Sequence, residues 1–444
     1  MSKYINPELA GGFRDYLPED MIPRQKMFDT IRDVFERFGF VPLDTPGLEK
    51  EEILTGGDPN FRMQIFRAGL RAGDEGLALR FDLTVPLARV VSAYGEKLEK
   101  PFKRYQIGKV WRGEKPQAGR FREFVQFDAD IVGSNKTSAD AEIVALIYET
   151  LTALGLSRFV IKVNNRKILN GLPSLVGFEL TSNAEVLRII DKLDKIGWDG
   201  VKVELAEKLN LSDSQTDKLK QFIDIRSDSQ EETLARLAEL GADSPNIVEG
   251  SNELKEIISH IRSLGIPDRM WRIDLSVARG LGYYTGPVFE TTLTDIPEIG
   301  SVFSGGRFDD LVARFGERSV PATGASVGVD RLFAAMDKLG LVKKEKTVAQ
   351  VLVLNFDSQA EDYCQRIVAL ARSNKIRSEL YLGKENSLKG QLSYATKQEV
   401  PVVIIAGGTE KAKEVVQIKD MARRRQVETP FKQIPAAIKG ILTS

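Results

Sequence analysis

The sequence predicts an α+β protein: a large domain of mixed strands and helices, interrupted by a helical insertion and followed by a small α/β domain. Three observations carry that reading. Residues 102–132 read as two long strands around a loop rich in glycine and basic side chains. Residues 171–265 are helical, Leu/Ile-rich and poor in glycine-rich or aromatic clusters. Beyond residue 347, short apolar strands alternate with amphipathic helices.

Taken in order, a helix opens near Met21, because Met27, Ile31, Val34, Phe35 and Phe38 fall at helical spacing and Gly39 supplies a stop. Leu79-Arg80-Phe81-Asp82-Leu83-Thr84 reads as a strand end that offers a carboxylate and a hydroxyl, groups able to bind an ammonium. The two long strands are expected at about Arg104–Trp111 and Phe121–Ile131, around a loop holding Gly113, Pro116 and Gly119. Ala139–Leu154 is an amphipathic helix. Small residues from Gly324 to Gly328 fit a strand feeding a helix, with Arg331 at its start. Lys343–Lys346 reads as a charged linker. Strands are then expected at Val351–Asn355, Arg377–Leu382 and Val400–Ala406. They alternate with a helix carrying Cys364, Ile367, Val368 and Ala371 and another at Leu388–Gln398, the pattern of a small parallel sheet. The expected domains are 1–170 with 266–342, the insertion 171–265, and 348–444.

Composition narrows the function classes. A chain of 444 residues with 42% hydrophobic content can bury two or three cores, which excludes wholesale disorder. No apolar run approaches the roughly 18 residues of a membrane span. The start, Met1 to Glu8, lacks the apolar core of a secretory signal, so a cytoplasmic location is expected. A single cysteine, Cys364, excludes an internal disulfide, and a single histidine, His260, makes a Cys/His zinc site untenable. A Ser-His-Asp triad would have to use His260, inside a helical stretch. Charge balances at 63 basic against 63 acidic residues, yet it is segregated: 171–265 holds 18 acidic and 11 basic residues, and 350–444 holds 15 basic and 10 acidic.

The densest chemical signal is Lys100–Arg122, with eight basic residues against one acid, Glu114; such a run points to a polyanion. Arg112, held at a strand, suits a phosphate, and Arg120 in the loop can close over more of it. An exposed basic hairpin is the plainer reading of the same residues. Neither a Walker-type phosphate loop nor a Gly-x-Gly-x-x-Gly turn after a strand is present. Val277–Gly286 offers a second guanidinium, Arg279, with glycines for close backbone approach and the pair Tyr283 and Tyr284; a strand turn with core tyrosines would look alike. Ser304–Asp310 and Gly324–Arg331 fit either a ligand-facing strand–helix unit or tight packing with a surface arginine.

Together these segments resemble the histidyl-tRNA synthetases, a family of class II aminoacyl-tRNA synthetases with an antiparallel-sheet catalytic domain. Gly12-Phe13-Arg14-Asp15-Tyr16-Leu17-Pro18 resembles the family's N-terminal signature, and Phe38–Glu49 the first class motif, which lies at the dimer interface. Arg112-Gly113-Glu114-Lys115-Pro116-Gln117 with Gly119–Phe124 and Gln126 resembles the second, and Gly324–Arg331 the third. Arg279–Glu290 and Gly305–Asp309 resemble the two histidine-specific motifs.

That resemblance implies a histidine–tRNA ligase. It would activate L-histidine with ATP, which arrives with Mg2+, and pass the histidyl group to the 3′ end of tRNA(His). Arg112 would hold the α-phosphate, with the catalytic Arg279 on its opposite side. Glu114 and Phe124 would meet adenine, and Arg120 and Arg331 the outer phosphates. Asp82, Thr84 and Gln126 would bind the α-amino and carboxylate region; Asp130, Tyr283 and Tyr284 would surround the imidazole, with Arg279 contacting the amino acid as well. Lys115 and Gln117 would face the tRNA acceptor end. A homodimer, no protein-held metal, no membrane association and an anticodon-binding role for 348–444 complete the picture. Asp82 and Asp130 stand where many members have glutamate, Gly282 where aspartate is common, and Lys115 where arginine is common. The alternative is a non-catalytic regulatory subunit of ATP phosphoribosyltransferase, which shares the catalytic fold but typically lacks the anticodon-binding domain and the catalytic arginine.

Overall fold

The computed structural model describes residues 4–56, 64–69, 76–114, 121–227, 229–278 and 283–443. The chain divides into two compact units, 1–14 with 27–341 and 15–26 with 342–444.

In the first unit, the strands in chain order are β1 (Val41–Pro42), β2 (Leu48–Lys50), β3 (Arg67–Ala68), β4 (Leu77–Leu79), β5 (Phe102–Trp111), β6 (Glu123–Val132), β7 (Phe159–Asn165), β8 (Trp271–Ile273), β9 (Pro287–Leu293), β10 (Ser301–Arg307) and β11 (Ala322–Gly328). Eight of them form one sheet in the order β1-β5-β6-β11-β10-β9-β7-β8, and β2-β4-β3 form a small second sheet. The central pairings are antiparallel, with parallel pairs only at the two edges, β1 on β5 and β7 on β8.

The two long strands lie where the sequence puts them and pair from Phe102 opposite Val132 to Trp111 opposite Glu123. The first helix runs Pro18–Arg37, three residues ahead of the expected start. Proline is tolerated in a first turn, where its missing N–H has no helical partner, and Glu19 and Asp20 favour the positive end of the helix. The helix stops before Gly39, whose φ of +78° is left-handed. Met27, Ile31, Val34 and Phe35 are buried as their spacing requires.

Close packing at the sheet centre selects glycine. A Cβ on Gly305 would collide with the Gly324 carbonyl and sit 2.6 Å from Ala325 Cα, so β10 and β11 can approach only without side chains there. One end of this region is tied by charge. Arg307, at the end of β10, donates to Asp140 Oδ2 through Nη2 at 2.6 Å and to the Ser134 carbonyl at 2.9 Å. Asp140 lies on the helix Thr137–Ala153, and its side chain is fully buried.

The acidic stretch folds into helices, including Asn183–Ile190, Leu193–Leu209, Asp213–Ile223, Gln230–Leu240 and Pro245–Ser263. Ser212 and Ser229 cap two of them by accepting from backbone N–H groups. The last helix packs against Thr137–Ala153 and carries His260 near its C-terminus.

The second unit corrects one expectation. Its sheet comprises β12 (Val351–Val353), β13 (Ser378–Leu380), β14 (Val402–Ile405), β15 (Val415–Asp420) and β16 (Arg425–Pro430), in the order β13-β12-β14-β15-β16. The first three are parallel, as alternation predicts, but β15 adds antiparallel to β14 and β16 antiparallel to β15. This hairpin escaped the reading because only one face of β15 is buried and most of β16 is exposed, so neither makes an apolar run. Asp420 shapes the turn by accepting from Ala422 N and Arg423 N, each at 3.0 Å. Cores lie on both faces of this sheet, one including Cys364, Ile367 and Ile434, the other Leu352, Ala395 and Val403.

Replacing Asp140 by alanine leaves Arg307 buried without its carboxylate. We expect a loss of about 3–5 kcal/mol in stability by urea denaturation, with Asp309, 3.3 Å from Nη1, recovering only part of it.

Candidate active site

A cavity of about 390 Å³ opens on the large sheet of the first unit. Its floor comes from β6, whose alternation turns Gln126, Asp128 and Asp130 into it, and from β11, which contributes Gly324, Ser326 and Gly328 directly opposite. Asp82 and Thr84 enter from the link between β4 and the helix Thr84–Tyr94; Asp82 Oδ1 accepts from Val85 N at 3.1 Å, so the helix start orients the carboxylate. Tyr283 and Tyr284 meet edge-to-face, centroids 5.1 Å apart. They are anchored through Thr285, which donates from its backbone to the Arg307 carbonyl at 2.8 Å and from Oγ1 to Asp309 Oδ2 at 2.8 Å.

Arg112 follows the last residue of β5. Its Nε donates to the Phe81 carbonyl at 3.1 Å, and its guanidinium lies over the Phe124 ring, 5.1 Å from the centroid. Glu114 lines the same region, and its carbonyl accepts from Arg122 Nε. Arg331 lies in the first turn of the helix Val329–Lys338 and donates to the Ser301 carbonyl at 2.6 Å. Its neighbour Asp330 accepts from Val125 N at 2.9 Å, pinning that helix to β6.

Of the residues singled out by sequence, Asp82, Thr84, Arg112, Glu114, Phe124, Gln126, Asp130, Tyr283, Tyr284 and Arg331 all line this one cavity. Lys115, Gln117, Arg120, Arg279 and Gly282 lie outside the described residues. Sequence reasoning passed over Asp128 and Ser326. Asp128 was open to it, because a strand that turns Gln126 and Asp130 inward turns residue 128 inward too.

The basic run needs a correction as well. Arg104 is fully buried, with Nη2 2.6 Å from Asp130 Oδ2 and donating to the Leu83 carbonyl at 3.1 Å. Lys103 pairs with Glu142, and Lys109 with Glu123 at 2.7 Å. Local counting misread these three because their acids come from another helix or from the facing strand. Among the described residues of the run, Arg112 is the basic side chain that reaches the cavity.

Electrostatically the floor is acidic and its carboxylates are buried. Burial pushes the Asp82 carboxyl up to about 6, opposed by the Val85 N–H and by Arg112. Burial likewise raises Asp130 to about 7 against the pull of Arg104, and raises Asp128. Tyr283 and Tyr284 are held well above the ordinary phenol value, first by burial and then by their neighbours, the carboxylates among them. Among the described residues, no group of three or more His, Cys, Asp or Glu side chains could hold a metal ion, and no helix is long and apolar enough to cross a membrane.

Comparison with known proteins places this cavity in a family. The histidyl-tRNA synthetase family model matches residues 12–332, and an anticodon binding domain matches 350–441. The chain belongs to the histidyl-tRNA synthetase family. A histidine–tRNA ligase of Clostridium tetani is 42% identical over 441 residues, covering 98% of this chain and 99% of that protein. One from Wolinella succinogenes is 43% identical, covering 94% of each. The crystal structure of histidyl-tRNA synthetase from Nostoc superposes with a TM-score of 0.87 at 35% identity, covering 98% of this chain and all of that one. A Bacillus halodurans structure described as an ATP phosphoribosyltransferase regulatory subunit/histidyl-tRNA synthetase shares the fold at 24% identity, with a TM-score of 0.76 over 91% of this chain.

The raised carboxylates give a signed prediction. Ligand-free protein binds these protons more tightly than the unfolded chain does. Their effect on stability is therefore most favourable near pH 4 and is lost as pH rises through about 6 and 7. Relative to Asp130→Asn, wild type should gain on the order of 2 kcal/mol between pH 7.5 and 5, read from chemical denaturation at each pH.

Proposed function

We infer that the chain is a histidine–tRNA ligase, which activates L-histidine with ATP to histidyl-adenylate and pyrophosphate and then transfers histidyl to the 3′ end of tRNA(His). The observation that carries this reading is one cavity lined by both buried carboxylates and arginines, in a chain matched over its length by histidine–tRNA ligases. Asp82, Asp128 and Asp130 suit a cationic amino acid; Arg112 and Arg331 suit a triphosphate.

The chemistry follows from charge. Attack of the histidine carboxylate on the α-phosphorus brings two anions together and builds charge on the phosphoryl oxygens. Arg112, tethered to the Phe81 carbonyl, offers a guanidinium to that charge without reorganising. We assign Arg279 to the opposite side of the α-phosphate, Arg120 and Arg331 to the outer phosphates, and Glu114 with Phe124 to adenine. Asp82, Thr84 and Gln126 bind the α-amino and carboxylate end, and Asp130, Tyr283 and Tyr284 receive the side chain. ATP enters as its Mg2+ complex. No protein acid or base is required at the first step, which fits a cavity lined by neither histidine nor cysteine.

Residues 1–170 and 266–342 serve as the catalytic domain, 171–265 as an insertion within it, and 348–444 as the anticodon-binding domain, whose positive surplus suits a phosphate backbone. Lys115 and Gln117 face the tRNA acceptor end. Two chains pair through the segment around residues 38–49, where Val41 and Leu48 are exposed apolar side chains on short strands. A cytoplasmic location follows from the reaction. The anticodon-binding match at 350–441 and the arginines in the cavity weigh against a regulatory role.

Pyrophosphate exchange measured across the twenty amino acids should respond to histidine alone; response to another amino acid would overturn the substrate. Arg279→Ala should fold normally by circular dichroism yet lose exchange by about 10³-fold or more, and near-normal exchange would remove Arg279 from the chemistry. Binding of tRNA should weaken steeply with salt, log affinity falling linearly with log salt concentration.

A further inference from the structure

The floor of the cavity holds one carboxylate more than the assignments above use. Asp128 lies on β6 between Gln126 and Asp130, on the same face, and is 2% exposed. Nothing covers this row from β11, where Gly328, Ser326 and Gly324 stand opposite; a Cβ on Gly324 would collide with Asp130 Oδ1. Ser326 Oγ accepts from Gln126 Nε2 at 2.7 Å, which turns its own proton toward Asp128. That serves one oxygen. Asp128 Oδ1 is fully buried and has no hydrogen-bond partner, and the same holds for Asp82 Oδ2 and Gln126 Oε1 in the same cavity.

The charged groups around Asp128 leave its Oδ1 without a donor, although Arg104 keeps Nε and Nη1 unpaired. From β5, Arg104 is engaged by Asp130 and the Leu83 carbonyl. From beside Asp82, Arg80 donates to the Lys109 and Thr45 carbonyls. Arg112 is held by the Phe81 carbonyl. Tyr283 and Tyr284 bring phenols whose protons are tightly held. Three buried carboxylates therefore share two buried arginines, Arg80 and Arg104, and Asp128 Oδ1 still lacks a donor; a buried acceptor without a donor is strongly disfavoured. A structural role would satisfy Asp128 from within the fold, and the fold does not. The α-ammonium of an amino acid neutralises one carboxylate. A further cation is needed for the next, and the ring of histidine can become one.

We propose that Asp128 is a specificity-determining residue of the amino-acid site, accepting beside Asp130 the second ring N–H of the substrate, so that histidine is bound as its imidazolium. This rests on the ligase reading above. A neutral ring has one N–H and would turn a lone pair on the other nitrogen toward a carboxylate. The imidazolium has two N–H groups and meets both. Near pH 8 the ring of free histidine is neutral, so binding forms one N–H bond with a proton drawn from solvent; at lower pH the ring or Asp130 already holds it.

Two measurements test this. In pyrophosphate exchange, L-histidine is compared with 1,2,4-triazolylalanine, an isostere whose ring is far less basic. Wild type should strongly prefer histidine in kcat/KM, and Asp128→Asn should narrow that preference by about 10-fold or more with the KM for ATP unchanged. An unchanged preference overturns the proposal. Independently of any variant, calorimetry of L-histidine binding to wild type in buffers of differing ionisation enthalpy should show uptake approaching one proton at pH 8 and falling toward none at pH 6. Absence of uptake at pH 8 also overturns it. Histidine-dependent exchange by wild type leaves the ligase reading standing in either case.

Discussion

Carboxylates buried beneath a ligand cavity are the constraint on which the first unit turns. A carboxylate taken out of water needs a counter-charge, a hydrogen-bond donor or a proton. Asp130 has Arg104 at 2.6 Å, Asp82 has the Val85 N–H, and Asp128 has the Ser326 hydroxyl. Each partner comes from a different element: β5, the start of the helix Thr84–Tyr94, and β11. Satisfying three acids thus joins three parts of the fold. Arg104 does so most directly, because one nitrogen reaches both the Asp130 carboxylate and the carbonyl of Leu83, between Asp82 and Thr84.

The same requirement explains the small residues of β10 and β11. Gly305 and Gly324 let the strands close up, and Gly324 leaves room for Asp130. Serine at 326 supplies a hydroxyl where a larger side chain would fill the cavity. Arg112 is fixed by a backbone carbonyl, and its charge favours the ionised forms of Asp82 and Asp128. A cavity that offers both carboxylates and guanidinium groups suits a molecule that carries both charges, as an amino acid joined to a nucleotide does.

How much of this was legible in the sequence varied by residue. Arg112, Glu114, Gln126, Tyr284 and Arg331 stood in ordered motifs, and a family resemblance over most of the chain could carry them into one site. The long strands were legible because β5 and β6 are long and bounded by turn residues. The hairpin of β15 and β16 was not, since a half-buried or exposed strand leaves little apolar pattern. Arg104 was misread as one more basic residue of a surface run. Charge composition along a chain carries no information about which side chain faces inward or which acid will meet it.

Sequence alone determined the fold class, the family and the chemistry available, because periodicity, turn residues and motif order are local properties written in consecutive residues. Tertiary structure alone decided which charges cancel. Lys103, Arg104 and Lys109 are neighbours in the chain, yet one is buried against Asp130 and the others lie beside glutamates. Asp128 likewise acquires its meaning only when β6 pairs with β11 and its Oδ1 is left buried without a donor. Coulomb attraction and desolvation depend on distance and burial in space, and neither is encoded by position along the chain.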